Sequence, residues 1–450
     1  MEAQEVASDI VRKALNRGCT AAEVFIKSSR GISVEAKDGK VEAMEVSRGF
    51  GLSLKVIRRR RVGFAFMTLP AGIGSCGEEI DRTIDGAVQG SEWTAADEYA
   101  GIPDHMPPAE VLVFDEKIKN IDEGDVIRDA VLLEDSALSY DERIKKVRKA
   151  AVSAGSEKTV IVNSKGVNTV YEATYYSAHV TALAADDGGD NQMGWDYAGS
   201  RRLSDIDIKS VGEGASKRAL ELLGSVRISP VKTPVILAPF VAVEFLEILS
   251  ASLSAEAVQK QRSFLAGKSG QQVVSPLLDI MDDGTMDWRT GTKPVDDEGV
   301  PVADKTLISG GVLRGFIHNT YTAARDDTVS TGNAARGSFK SLPGVGVTNF
   351  YIKPDGGRSC DDMVKSLSRG ILILGAMGVH TANPVSGDFS VGISGQRIEN
   401  GETVCPVKEA VISGNILDMF RKVEGVGNDL MFYGNTGSPS LLIGDMDVSG

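Results

Sequence analysis

The pattern of apolar and polar residues divides the first half of the chain into helices and alternating strands. Apolar residues recur at helical spacing over residues 3–17, and Gly18 follows as a stop signal. Alternation over residues 22–69 predicts five strands of an antiparallel meander, at 22–29, 31–39, 40–47, 50–57 and 62–69, with a tight turn at Asp38–Gly39. The order then repeats in six further segments: a helix at 122–137, strands at 143–154, 158–163, 167–176 and 177–184, and a helix at 208–224.

The second half of the chain has a β-rich pattern with many glycine turns. KTPVILAPF (232–240) predicts a buried strand, which runs directly into a helix over residues 241–253. We therefore expect an α+β fold. Its N-terminal half is an antiparallel sheet plus helices, and its C-terminal domain is β-rich and opened by a strand and a long helix.

The length of the chain predicts more than one domain, because 450 residues exceed what a single hydrophobic core supports. We place the boundary near residue 225, between an N-terminal α+β domain (1–224) and a C-terminal domain (225–450). The first domain is either undivided or made of two subdomains, about 1–95 and 110–224. Residues 92–112 contain three prolines and lack a clear period, as a linker would.

Charge argues against nucleic acid as a partner. The net charge of -13 opposes contact with phosphates, which depends on lysine and arginine. The basic run Arg58–Arg61 lies between two β-like segments, so it predicts a solvated hairpin turn. We expect no nucleic-acid partner.

The cysteines and the apolar runs predict a cytoplasmic protein. The four cysteines are far apart and form no C-x-x-C motif, which fits a reducing compartment. They are Cys19, Cys76, Cys360 and Cys405. No run of about 18 apolar residues occurs, so we expect neither a signal peptide nor a membrane partner.

Glu247 is the carboxylate that most needs an explanation, because apolar residues surround it on the helix over residues 241–253. A glutamate in a helix is typical of zinc peptidases, which need three or four ligands. The chain has four histidines, none of them in this helix and no two close in sequence: His105, His179, His318 and His380. The residues therefore predict no metal site. Should the chain nevertheless bind zinc, His318 and His380 are the first ligands to test.

Two acidic segments follow this helix. Asp282–Asp283 and Asp296–Glu298 flank a loop, and neighbouring carboxylates can bind a hard cation or share a proton. Asp-Gly and Glu-Gly pairs are also typical of turns with solvated side chains. Both interpretations stay open at this point.

The C-terminal half contains a series of motifs that resemble those of a known family, both in their order and in their spacing. These motifs are LAGKSGQQVVS (265–275), IMDDGT (280–285), PVDDEGVP (294–301), TYTAARDDTVSTGNAAR (320–336), NPVSGDFSVGISGQRIENGE (383–402) and SPSLLIGDMDVSG (438–450). In them the chain resembles the TldD/PmbA family, known also as modulators of DNA gyrase. The resemblance covers nearly the full length.

The resemblance implies a specific branch of that family. TldD-type chains are zinc peptidases with H-E-x-x-x-H on the helix and a cysteine ligand near the C-terminus. Here Leu246 and Ala251 occupy the two histidine positions and only Glu247 remains, while MFYGNTGSPSL (431–441) has no cysteine. The chain thus resembles the PmbA (TldE) branch, without metal or catalytic residues of its own.

The resemblance also implies partners. A TldE-type chain pairs with a TldD-type chain, which holds the zinc, and the pair cleaves unfolded or extended peptides. Candidate peptide or partner contacts lie in polar loops: Asp297, Glu298, Arg325, Asn333, Arg336, Asn383 and Asp388.

Two alternatives remain open. One is a metal-free homodimeric protein that binds peptides or has a regulatory role. The other is a hydrolase that depends on carboxylates, whose activity would survive a chelator and be lost on Asp297→Asn or Glu298→Gln.

Overall fold

The computed structural model describes residues 3–68 and 77–450, so Cys76 and the end of the predicted segment 22–69 lie outside the described residues. The first half contains α1 (Ala3–Asn16), β1 (Ala21–Lys37), β2 (Lys40–Arg58), β3 (Arg61–Thr68), α2 (Gly77–Gly90), α3 (Glu116–Lys119), α4 (Glu123–Leu138), β4 (Ile144–Asn163), β5 (Asn168–Ala185), β6 (Asn191–Ser200) and α5 (Ile208–Leu220). Within the described ranges, no helix is both long and apolar enough to cross a membrane.

The second half contains shorter elements and more strands. They are β7 (Val231–Leu237), α6 (Pro239–Ser252), α7 (Ala255–Gln259), β8 (Ile280–Asp283), β9 (Asp304–Ser309), β10 (Val312–Leu313), α8 (Thr320–Arg325), β11 (Ala334–Ala335), β12 (Gly344–Val345), β13 (Phe350–Ile352), α9 (Cys360–Ser366), β14 (Arg369–Met377), β15 (Asp388–Glu399), β16 (Glu402–Asn415), α10 (Ile416–Arg421), β17 (Val423–Val426), β18 (Met431–Tyr433), β19 (Thr436–Ser438) and β20 (Leu441–Ser449).

The first six strands form one antiparallel sheet in the order β3-β2-β1-β4-β5-β6. Helices α1 and α2 share one apolar core with this sheet, and α4 and α5 share another. Strands β1 and β4 contribute buried residues to both cores. Two helix pairs therefore pack on one continuous sheet, which confirms the predicted N-terminal architecture.

The prediction of shorter strands was wrong in this sheet. It separated strands next to Gly31 and Gly155, whereas β1 and β4 run through these residues and pair them with each other. A Cβ on Gly31 would lie 2.5 Å from the hydroxyl oxygen of Tyr175, and one on Gly155 would lie 2.6 Å from it. The two glycines therefore make room for a tyrosine on the neighbouring strand and do not end the strands.

Both predicted hairpin turns are present. Asp38 and Gly39 have φ angles of 53° and 69°, and Arg59 and Arg60 have φ angles of 53° and 62°. Two consecutive residues with positive φ are typical of the turn that matches the twist of antiparallel strands. Arg59 and Arg60 are exposed, as expected for a solvated turn.

The C-terminal half is β-rich and opens with β7 and α6, as predicted. One sheet has the order β16-β15-β14-β7-β20-β17, and a further pairing between β16 and β20 closes five of its strands onto each other. A second sheet has the order β10-β9-β8-β13-β19-β18. Helix α6 shares one core with strands of both sheets. It begins at Pro239, where the fixed φ of proline suits the first helical turn.

The two halves of the chain contact each other through a cation among aromatic rings. The guanidinium of Arg218 on α5 lies 4.6 Å from the ring centre of Phe240 on α6 and 5.8 Å from that of Trp195. One of its Nη atoms donates a hydrogen bond of 2.9 Å to the hydroxyl of Tyr433. The domain boundary near residue 225 stays a prediction.

Candidate functional site

Two carboxylates on α6, Glu244 and Glu247, border a cavity of about 440 Å³. They are three residues apart, so they lie on one face of the helix. The opposite wall includes Val379 and His380. Glu244 is partly buried and Glu247 is exposed. Although its neighbours in sequence are apolar, Glu247 therefore faces away from the core.

The surroundings of the cavity raise the pKa of both carboxyl groups. Partial burial raises the pKa of Glu244 to about 7, and the neighbouring charge of Glu247 acts in the same direction. Although the side chain of Glu247 is exposed, desolvation of its carboxyl group at the cavity wall also raises its pKa, and the nearby hydroxyl of Thr436 opposes this shift. Glu244 thus changes its charge near neutral pH.

This shift predicts a pH-dependent stability. In the folded protein, the pKa of Glu244 lies above its ordinary value of 4.5, so the folded protein is more stable when Glu244 is protonated. This contribution to the free energy of unfolding is complete below pH 4.5 and is lost as pH rises through about 7. Glu244→Gln should therefore melt at the same temperature as the wild type at pH 4.5 and a few degrees higher at pH 8. Thermal melts between pH 4.5 and pH 8 measure this difference. Glu213→Gln, at an exposed position of α5, is the matched control. An equal gain at both pH values for Glu244→Gln would contradict the assignment.

The residues at the family's histidine positions do not fit zinc. Leu246 is fully buried in the core and Ala251 is exposed, and neither side chain has a donor atom. Residues five apart on a continuous helix lie about 140° apart around its axis, so they face different surroundings. Of the two histidines named as first ligands to test, only His380 lines the α6 cavity. Among residues 3–68 and 77–450, no three His, Cys, Asp or Glu side chains group closely enough to hold a metal ion.

The acidic segments form a buried network. Asp282, Asp296 and Glu298 are fully buried. Both oxygens of Asp296 accept backbone N–H groups, from Glu298 and Val300 on one side and from Ala334 on the other. These carboxylates fix the course of loops that meet at this point. The expectation of solvated turns was therefore wrong for these three side chains.

A second cavity, of about 280 Å³, lies between the first sheet and loops of the C-terminal half. Asp297 and Arg336 line it, as candidates from the sequence, together with Lys293. Lys293 Nζ lies 2.8 Å from Asp297 Oδ1. Arg336 donates its backbone N–H to Asp297 Oδ2 at 2.7 Å and an Nη group to Glu23 on β1 at 2.8 Å. Charged pairs thus line this junction of the two halves.

The structure brings some sequence candidates together and leaves others apart. Asp297, Glu298, Asn333 and Arg336 lie in loops that hydrogen bonds tie together, and of these four residues Asp297 and Arg336 line the second cavity. Glu298 and Asn333 are buried, bond within the chain and are not exposed in polar loops.

The remaining candidates are exposed. Arg325 lies at the end of α8, with its guanidinium 5.9 Å from the ring centre of Tyr321. Asn383 and Asp388 belong to one turn, in which Asp388 bonds to Ser386 and Asn415. These three residues do not line either cavity.

Glu244 and Arg201 line the two cavities and were not among the candidates from the sequence. Glu244 could have been found, because its spacing of three from Glu247 places both on one helix face. Arg201 carries no such signal, because loop packing over long sequence separations brings it to its cavity. His380 was named only as a zinc ligand to test.

Comparisons with known proteins cover nearly the whole chain. Models of the PmbA/TldA metallopeptidase family match in order: domain 1 over residues 22–91, the central domain over 116–223 and the C-terminal domain over 230–450. The chain is 28% identical to the metalloprotease PmbA of Escherichia coli O157:H7 over 436 residues, which cover 95% of this chain and 92% of that protein.

Solved structures share the fold. A Thermotoga maritima protein described as a modulator of a DNA gyrase superposes with a TM-score of 0.90 and 26% identity, over 99% of this chain and 100% of that one. TldE from Thermococcus kodakarensis has the same fold, with a TM-score of 0.88 and 22% identity over 98% of this chain and 99% of that one.

Proposed function

The chain belongs to the PmbA/TldD metallopeptidase family, and from this premise we propose that it is a non-catalytic, TldE-like subunit. Its partner is a TldD-type chain that holds the zinc. The pair cleaves unfolded or extended peptides. One observation carries the proposal: where TldD-type chains have two histidines, this chain has Leu246, buried in the core, and Ala251.

Glu247 is the one residue of the H-E-x-x-x-H motif that this chain keeps, and it has no metal-bound water to act on. A general base in a zinc peptidase takes a proton from water that the metal has polarised. Glu247 keeps the position of that base, but its neighbours at 246 and 251 supply no ligand. We therefore assign Glu247 no catalytic role.

An edge strand supports a role in holding extended peptides. β18 lies at one edge of the second sheet and borders α6, whereas β10 at the other edge is already bonded to the segment 270–273. Extended peptides bind such edges by adding a strand, which satisfies backbone N–H and C=O groups on both sides. Met431 on β18 is exposed and offers an apolar contact there.

Native mass spectrometry of the chain alone and co-expressed with a TldD-type chain tests this function. We expect a metal-free lone chain without peptidase activity, and a mixed complex that contains zinc and cleaves an unfolded protein such as casein. Glu247→Gln in this chain should leave the activity of the mixed complex within about twofold, because the general base belongs to the partner.

Three outcomes would contradict the proposal. The lone chain could bind zinc stoichiometrically, it could form a homodimer that refuses the partner, or it could cleave peptides in the presence of a chelator. The last outcome would favour the hydrolase alternative, which Asp297→Asn would then inactivate.

A further inference from the structure

We propose that the cavity of about 280 Å³ between the two halves binds the carboxylate of a peptide residue. Carboxylate binding follows from the charges that line the cavity. The choice of a peptide as the carrier rests on the proposed function. The lining includes four cations and two carboxylates: Lys27, Arg201, Lys293 and Arg336 against Glu157 and Asp297.

Three of the four cations have a carboxylate partner within the protein. The pairs are Lys27 with Glu157 at 2.7 Å, Lys293 with Asp297 at 2.8 Å, and Arg336 with Glu23 at 2.8 Å. Arg201 has no ion pair within residues 3–68 and 77–450. Glu157 acts on Arg201 through its charge but forms its ion pair with Lys27, so the cavity wall carries one guanidinium without a bonded carboxylate.

Arg201 is held in place by backbone groups alone. Its guanidinium donates to the carbonyl oxygens of Thr174 at 3.2 Å, Arg289 at 3.1 Å and Thr290 at 2.8 Å. A guanidinium has five N–H groups, so these bonds leave donors available. Arg201 is buried, and burial lowers its pKa.

A carboxylate in the cavity would remove the cost of this unpaired buried charge. Buried cations are normally paired, because an isolated charge in a protein interior loses its hydration. Guanidinium groups bind carboxylates with two parallel, charge-assisted hydrogen bonds. The backbone bonds hold the guanidinium ready for such a partner, with little side-chain freedom left to lose on binding.

The rest of the lining suits one residue of a peptide. The cavity of about 280 Å³ is slightly smaller than most ligand sites, which span about 300–1,000 Å³. Tyr171 also lines it, and burial raises its pKa to about 12, so its hydroxyl stays protonated at neutral pH. Phe25 and Phe339 add apolar walls. The carboxylate can come from the C-terminus of a peptide or from an aspartate or glutamate side chain.

Calorimetric titration of the full chain with three peptides distinguishes these sources. The peptides are acetyl-tetra-alanine with a free C-terminal carboxylate, the same peptide as an amide, and an amide in which one alanine is replaced by glutamate. We expect at least one carboxylate peptide to bind at least about tenfold more tightly than the neutral amide, as for a charged hydrogen bond. If the free acid is the one peptide that binds, the site recognises a peptide C-terminus. If the glutamate-containing amide binds as well, the site also recognises a carboxylate side chain. Equal binding of all three, or no binding, would overturn the proposal.

Two variants and one control locate the site. Arg201→Gln should abolish the preference for the carboxylate. Arg202→Gln, at the neighbouring and half-exposed arginine, should preserve it. Gly337 lines the cavity and a Cβ there meets no atom within 4 Å, so Gly337→Leu adds bulk at the cavity without a clash at the Cβ and should weaken binding at least about tenfold. If Gly337→Leu binds like the wild type, the ligand lies elsewhere. The titration uses the lone chain, so its result is independent of whether a zinc-containing complex forms.

Discussion

Arg336→Ala is expected to destabilise the protein by about 3–5 kcal/mol, the cost of leaving a buried carboxylate without its partner. Arg336 and Glu23 have side chains that are 2% and 0% exposed, and their charged atoms lie 2.8 Å apart. Burial already raises the pKa of Glu23 against the opposing charges of Lys55 and Arg336. Without the guanidinium, Glu23 would keep only Lys55 nearby, and Lys55 is bonded to Glu298.

The same substitution also separates the two halves of the chain locally. The Arg336 side chain also donates to the carbonyl oxygens of Asp297 and Ser341, while Glu23 belongs to the first sheet. The loss of stability should therefore appear as a lower midpoint concentration when unfolding in guanidinium chloride is followed by circular dichroism. Arg325→Ala, at an exposed arginine, is the control and should change the free energy of unfolding by less than about 0.5 kcal/mol.

A double variant identifies the physical cause. In Glu23→Gln/Arg336→Ala, the buried charge is gone, so most of the lost stability should return. If the double variant is as unstable as the sum of the two single variants, the pair does not interact and the charge explanation is wrong.

Asp282→Ala is expected to cost at least about 3 kcal/mol, because four donors lose one buried acceptor. Asp282 is fully buried on β8. Its oxygens accept the N–H of Thr348 at 2.6 Å, the hydroxyl of Thr348 at 2.9 Å and the amide of Asn333 at 2.7 Å, and Lys305 lies 3.2 Å away.

The neighbouring carboxylate supplies a matched control. Asp283 accepts the N–H and the hydroxyl of Thr285 within a local turn. Asp283→Ala should therefore cost only about 1 kcal/mol, the usual value for such a hydrogen bond. Chemical unfolding of both variants measures the contrast. Equal losses for the two aspartates would mean that burial and the number of donors do not decide the effect.

These two predictions assign a structural role to the family motifs. Asp282 belongs to IMDDGT and Asp296 to PVDDEGVP, and both tie distant loops together through buried hydrogen bonds. In this chain, these residues therefore hold loops of the C-terminal half in place.

The sequence predicted element types better than element lengths. Periodicity identified α1, α4, α5 and α6 because an amphipathic or buried helix repeats every 3.6 residues within a short window. It broke β1 and β4 next to Gly31 and Gly155, since glycine also marks turns. The space that those glycines provide for Tyr175 depends on the next strand of the sheet, which no local pattern records.

The candidate site was predicted in part. Aligning H-E-x-x-x-H with residues 246–251 was enough to show that Glu247 has no histidine at either flanking position of the motif. The sequence did not decide whether Glu247 is exposed, because apolar neighbours in sequence say little about which direction a side chain faces. Glu298 and Asn333 were expected in polar loops, but buried hydrogen bonds with distant partners keep them inside.

By itself, the sequence determined the α+β class, the opening strand and helix of the C-terminal half, the family, and the absence of the family's two histidines from α6. These properties depend on residue identity and on spacing within a few turns or strands. Only the tertiary structure decided which charges meet: Arg336 pairs with a carboxylate 313 residues away, and Lys55 with one 243 residues away. Chain separation does not limit such contacts, because the sheets and loops that bury a charge also bring its partner to it.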